Sequence, residues 1–217
     1  MVFSNAIIFF GVAFASLIAV ANPLSTASIF LTITRRNKHK KKKKIAKTAC
    51  NTAAYVLISF ALVGTYILGF FSITLDAFRI AGGLIIVSIG FSMLKSKREH
   101  LKSDKEKREA IRKDDVSIIP LAIPMISGPG AITTVLILAS NSTGFIDMSM
   151  ILLAIIAMCL VSFLVLVNAD KVHKYLGRTG KATVDKIVGL IVLVIGIQFI
   201  INGIDGLMME WINEIPV

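Results

Sequence analysis

The sequence predicts an all-α polytopic membrane protein: six transmembrane helices forming two inverted three-helix repeats, the first helix of each broken near mid-membrane. Three observations lead there. The 217 residues are 55% hydrophobic, above the roughly 45–50% of a soluble domain, and the mean hydropathy is +0.80. The chain nonetheless carries 24 Lys and Arg against 13 Asp and Glu, a formal charge of +11, confined to short stretches between long apolar ones. Proline and glycine positions also recur at one offset of 106 residues. A soluble basic protein spreads its charge over a wet surface, so this pattern excludes an ordinary soluble enzyme, a disordered tail and a disulfide scaffold.

A membrane helix needs about 20 mainly apolar residues. Six segments qualify: 4–34, 48–71, 76–94, 116–140, 148–168 and 184–209. The first has no basic leader and no secretory cleavage pattern after it, so it reads as a true span. Residues 1–94 form the first repeat, 95–115 a charged connector and 116–217 the second repeat. The basic residues sort onto alternate connections. Nine lie between spans 1 and 2, nine between spans 3 and 4, and five at the connection of spans 5 and 6, the last of them, Lys186, just inside span 6. The opposite loops, Ser72–Leu75 and Asn141–Asp147, have none. The positive-inside rule then puts the basic segments in the cytoplasm and both termini outside. The run Lys40–Lys44 reads as a topogenic loop touching anionic lipid rather than a nucleic-acid site. Residues 95–115 read as a solvated connector of mixed charge.

The offset relates Pro23 to Pro129, Ala27 and Ser28 to Thr133 and Thr134, Gly83 to Gly189, and Gly90 to Gly196. Three spans per half is an odd number, so the second half enters the membrane upside down, as in many secondary transporters. Proline in a helix interior removes a donor and clashes with the preceding turn, yet it suits the first position of a new helix. Asn22 therefore caps a half-helix starting at Pro23, and Gly128 precedes a matching start at Pro129. Two half-helices beginning near mid-membrane turn their positive ends toward each other. Their free N–H groups suit an anion such as an amino-acid carboxylate. The candidate binding set is Asn22, Pro23, Ser25, Thr26, Gly128, Pro129, Gly130, Thr133 and Thr134, with the ammonium met by freed carbonyls or the Asn22 side-chain oxygen.

Elsewhere the residues favour bland roles. Asp76 and Arg79 pair at i, i+3 near the outer end of span 3 and snorkel, and Asp205 reads as a similar interfacial anchor. No span carries a central Asp, Glu or Lys, which disfavours a carboxylate proton relay and a metal pathway. His39, His100 and His173 fall in basic loops without ligand spacing. Cys50 and Cys159 read as buried free thiols at different depths, with no metal or redox pair. Met208, Met209 and Trp211 mark an interfacial edge. Gly64, Gly69, Gly82, Gly83 and Gly90 permit close helix packing. No nucleotide-binding, nucleophile-elbow or zinc-protease motif is present, and no cofactor or metal is expected.

The Asn22-Pro23 break, the run Phe78-Arg79-Ile80-Ala81-Gly82-Gly83, and Ile119 to Pro124 through Gly128-Pro129-Gly130-Ala131-Ile132-Thr133-Thr134 resemble the MarC family, also called the SnatA or UPF0056 family. The resemblance covers nearly the whole chain. It implies a six-span protein of a prokaryotic inner membrane, related to the lysine-exporter superfamily, with some members described as transporters of glycine or alanine. Family members usually carry an acid before the first proline, where this chain has Asn22. The reading that follows is a secondary transporter of small neutral amino acids, an exporter by resemblance, possessing no nucleic-acid partner and open to homo-oligomer formation. The alternative is a membrane scaffold or assembly factor without transport. A membrane-embedded enzyme is disfavoured, because no central nucleophile, base and metal constellation exists.

Overall fold

The computed structural model describes residues 2–35, 37–95, 126–142 and 144–214. The connector 95–115 beyond its first residue, and the opening of the fourth span with Pro120 and Pro124, lie outside them. The described residues are helical throughout: α1 (Val2–Ala21), α2 (Pro23–Ile33), α3 (His39–Phe70), α4 (Leu75–Leu94), α5 (Pro129–Ser140), α6 (Phe145–Val167) and α7 (Ala169–Glu214). Five stretches are long and apolar enough to cross a membrane: Ala6–Ile33, His39–Phe70, Leu75–Leu94, Phe145–Val167 and Ala182–Met209. The shorter apolar helix Pro129–Ser140 adds to them. Many large side chains face outward, among them Ile7, Tyr66, Phe145 and Leu160, as expected where lipid rather than water surrounds the helices.

Two elements differ from the sequence expectation. The lysine run is not a loop, because α3 starts at His39 and carries Lys40–Lys44 in its first turns. Lysine is a good helix former, and the buried face continues into this end through Ile45, Ala46 and Ala49. Lys42 donates to Asp170 at 3.0 Å, tying α3 to the first turn of α7. The basic stretch before span 6 is likewise helical from Ala169, apart from one break at Gly177 (φ 61°, ψ −172°), a conformation essentially restricted to glycine.

Antiparallel hairpins put the start of α3, the end of α4, the end of α6 and the start of α7 at one end of the molecule, the basic one. The far end is closed by Arg79. Its guanidinium pairs with Asp76 at 2.7 Å and donates to the Asn141 side chain beyond α5. Both partners of the ion pair are mostly shielded, and it is the bond from Arg79 to Asn141 that ties α4 to the end of α5. Gly206 of α7 lies against the Asp76 carboxylate.

Helices α4 and α7 approach most closely, through four glycines in a crossed arrangement. A Cβ on Gly83 would lie 2.7 Å from the Gly196 carbonyl oxygen, and one on Gly90 would lie 3.0 Å from that of Gly189. Gly82 abuts the Thr133 methyl group, and Gly64 the side chain of Leu136. Gly69, expected to serve packing, has nothing within 4 Å. It lies on the outward face of the last turn of α3, next to buried Leu68.

Candidate functional site: two helix starts and a carboxylate

The first span is broken where expected. Asn22 takes up φ 40°, ψ 72°. Pro23 disfavours a right-handed helical residue before it, and asparagine tolerates the left-handed region better than most side chains. Helical bonding resumes without a loop, since Asn22 N–H donates to the Ile18 carbonyl and Thr26 N–H to the Asn22 carbonyl, both at 3.1 Å. The Asn22 side-chain oxygen accepts the Ser25 N–H at 3.2 Å. This is the N-cap of α2 that the sequence predicts for Asn22. The Thr26 hydroxyl donates to the carbonyls of Asn22 and Ala21, bridging the break.

The second start follows the same plan. Gly128 is extended (φ −68°, ψ 174°) and Pro129 is the first residue of α5. Gly128 has no side chain with which to cap, and no side-chain cap bond is made. The Thr134 hydroxyl donates to the Gly130 carbonyl at 2.8 Å. Thr133 is buried, with its methyl group on Gly82. Gly128 and Gly130 are buried, whereas Pro129 is exposed.

The fold brings the two starts together. A Cβ on Gly130 would lie 2.8 Å from Val20 Cγ1, two residues before Asn22, and 3.0 Å from Ile89 Cδ1 of α4. One turn along α4, the Met93 sulfur is 3.9 Å from Asn22 Nδ2. A helical turn rises about 5.4 Å, so α4 spans from one start to the other. Val20 and Ile89 close around Gly130.

Sequence reasoning missed Asp185. Its carboxylate accepts the Ser25 hydroxyl at 2.8 Å, and Ser25 in turn accepts from Asn22 Nδ2 at 3.0 Å. A chain of donors thus runs from Asn22 through Ser25 to an acid on α7, 160 positions away in sequence. The residue looked peripheral, lying at the margin of the sixth span beside Lys186 and Lys181. Its offset partner in the first half is Arg79, which offered no hint of a carboxylate. The site therefore presents two helix N-termini of different character. That of α2 is capped and has an acid beside it. That of α5 has no side-chain cap bond from Gly128.

A bundle of long apolar helices, with backbone broken inside two apolar segments, defines a multi-pass integral membrane protein. The comparisons narrow this. The profile described as MarC family integral membrane protein matches residues 7–208, and the chain belongs to that family. It is 34% identical to a UPF0056 membrane protein of Methanocaldococcus jannaschii, over 93% of this chain and 98% of that one. It is 36% identical to a UPF0056 membrane protein of Pyrococcus abyssi, over 91% and 94%. The UPF0056 membrane protein YvbG of Bacillus subtilis is 33% identical, over 89% and 93%. No solved structure matches.

Proposed function

We propose that this protein is a secondary transporter of small neutral amino acids, moving its substrate rather than converting it. The transported zwitterion bridges the two helix starts. Its carboxylate takes the N–H groups opening α5, where an anion is favoured by up to ~2 kcal/mol when partly buried. Its ammonium takes the carboxylate of Asp185 in place of the Ser25 hydroxyl. The observation that carries this reading is the joining of Asp185 to Ser25 at the mouth of a proline-started half-helix. Complementary charges for both ends of an amino acid then lie on neighbouring elements.

The crossed glycines support the six-span inverted repeat that alternating access requires. Gly83 meets Gly196 and Gly90 meets Gly189, while the sequence offset equates Gly83 with Gly189 and Gly90 with Gly196. A two-fold relation generates this reciprocity, pairing i with j′ and j with i′. In this reading the basic end faces the cytoplasm and the protein resides in a prokaryotic inner membrane, exporting its substrate. The tight packing at Gly130 represents a closed arrangement that rocking of the repeats relieves.

Counterflow in proteoliposomes tests the proposal. Radiolabelled alanine should accumulate in vesicles preloaded with alanine, glycine or serine, but not in those preloaded with lysine or glutamate. One acid pairs one ammonium, so a second charge would be desolvated unpaired at a cost of several kcal/mol. Absence of counterflow with every neutral amino acid would point to a scaffold. Lysine exchanging as well as alanine would sink the site assignment.

A further inference from the structure

A second feature lies away from the helix starts. An open groove of about 560 Å³ lies between α3 and α6 toward the basic end, within the range of ordinary ligand sites. Cys50 and Cys159 form its floor and are both buried. The two thiols were expected at different depths, but antiparallel packing sets a residue early in α3 level with one late in α6. The walls are apolar, with Ala54 and Ile58 on α3 facing Ile156, Leu160 and Phe163 on α6. Ile156 and Leu160 remain 53% and 56% exposed, so nothing among the described residues covers this face. At the mouth stand Lys43 and Lys47, with Asn51 one turn below. Neighbouring Lys42 is paired with Asp170. Among the described residues Lys43 and Lys47 have no ion-pair partner.

We infer that this groove is a specific site for an anionic diacyl phospholipid of the leaflet at the basic end, its phosphate held by Lys43 and Lys47 and an acyl chain lying between α3 and α6. The dimensions agree. Eleven residues separate Lys47 from Ile58, about 16 Å along a helix, against roughly 15 Å for half of a bilayer hydrocarbon core. The charge is placed at one end only, and the rest of the groove offers hydrocarbon contacts. That polarity matches a phospholipid and not a soluble anion. A second copy of the chain would set two lysine pairs near each other, so the occupant is the lipid. This inference is independent of the transport reading, since it uses none of the residues at the helix starts.

Two measurements on the full-length protein test it. Native mass spectrometry of detergent-purified protein should retain phosphatidylglycerol over phosphatidylcholine by roughly 30-fold for two lysines at an anionic surface. Lys43→Gln with Lys47→Gln should abolish that preference, while Lys40→Gln with Lys41→Gln, an equal change of charge, should leave most of it. Separately, Phe163→Trp in a Trp211→Phe background places one fluorophore in the groove. In nanodiscs it should be quenched more by brominated phosphatidylglycerol than by brominated phosphatidylcholine. Equal retention of the two lipids, or equal loss in the control pair, overturns the proposal. So does fluorescence from the Phe163→Trp variant that is insensitive to both brominated lipids, which would mean that protein covers the groove.

Discussion

Asn22 concentrates several roles in one side chain: it tolerates a left-handed backbone, caps α2 and orients Ser25 toward Asp185. Substitutions there should separate these roles. Asn22→Asp keeps the capping oxygen but loses the Nδ2 donor to Ser25 and sets a second carboxylate near Asp185, so it should destabilise by like-charge repulsion. Asn22→Gly relieves the backbone but loses the cap, at a few tenths of a kcal/mol. Asn22→Ala loses the cap and meets the left-handed penalty, about 1–3 kcal/mol together. Thermal unfolding in detergent should rank Gly above Ala, and Ala as stable as Gly would show that the backbone geometry is not as described. Asn22→Leu should also weaken alanine binding by calorimetry, since Ser25 loses its partner. Asp185→Asn should remove alanine counterflow while folded protein is still recovered from the membrane. Counterflow at the unaltered rate would exclude this carboxylate from the site.

Among the elements, the broken helices and the α4–α7 contact make opposite demands on small residues. At α5 the requirement is a helix start. Pro129→Ala allows the helix to run back through Gly128 and withdraw the N–H groups that the substrate needs. Transport should fall far more than the yield of folded protein, and unchanged transport would reduce the break to a kink. Gly130→Leu is expected to act differently, by collision with Val20 and Ile89, and should lower folded yield as well. At the α4–α7 contact the requirement is close backbone approach. A Cβ on Gly83 or Gly90 meets backbone atoms at 2.7 Å, which cannot rotate aside as a side chain can. Gly83→Ala and Gly90→Ala should each destabilise by about 1–3 kcal/mol. Gly11→Ala and Gly69→Ala, with open space around them, should change stability by less than ~1 kcal/mol. Thermal melts of the four variants in one detergent would compare them directly.

For the whole molecule, the testable property is the separation of its two ends. In a background lacking Cys50 and Cys159, cysteines introduced at Ser72 and Ser142 should react with an impermeant thiol reagent applied outside intact cells. Cysteines at Lys43 and Lys174 should react only after the membrane is opened. Outside labelling at Lys43 would reverse the orientation, and labelling of Ser72 and Ser142 from different sides would break the inverted repeat. The same separation explains the charge pattern. Lys42–Asp170 fastens the basic end across α3 and α7, and Arg79 fastens the other through Asp76 and Asn141.

The sequence by itself determined the apolar spans, the sorting of basic residues onto alternate connections, the helix starts at Pro23 and Pro129, and the glycine spacing. These depend on rules acting within a turn or a span: hydropathy against a bilayer, a missing proline N–H, the small volume of glycine. Tertiary structure alone decided which side chains meet. Asp185 reaches Ser25, the glycines cross in reciprocal pairs, and Cys50 settles level with Cys159. Such contacts depend on how each helix is rotated and how far it slides along its neighbours. Hydropathy carries little of that information, because a membrane helix is apolar toward lipid and apolar toward its partners alike. The lysine helix shows the converse limit: Lys40–Lys44 announced a polar connection, and only packing of Ile45, Ala46 and Ala49, with Asp170 opposite Lys42, made it the first turns of α3.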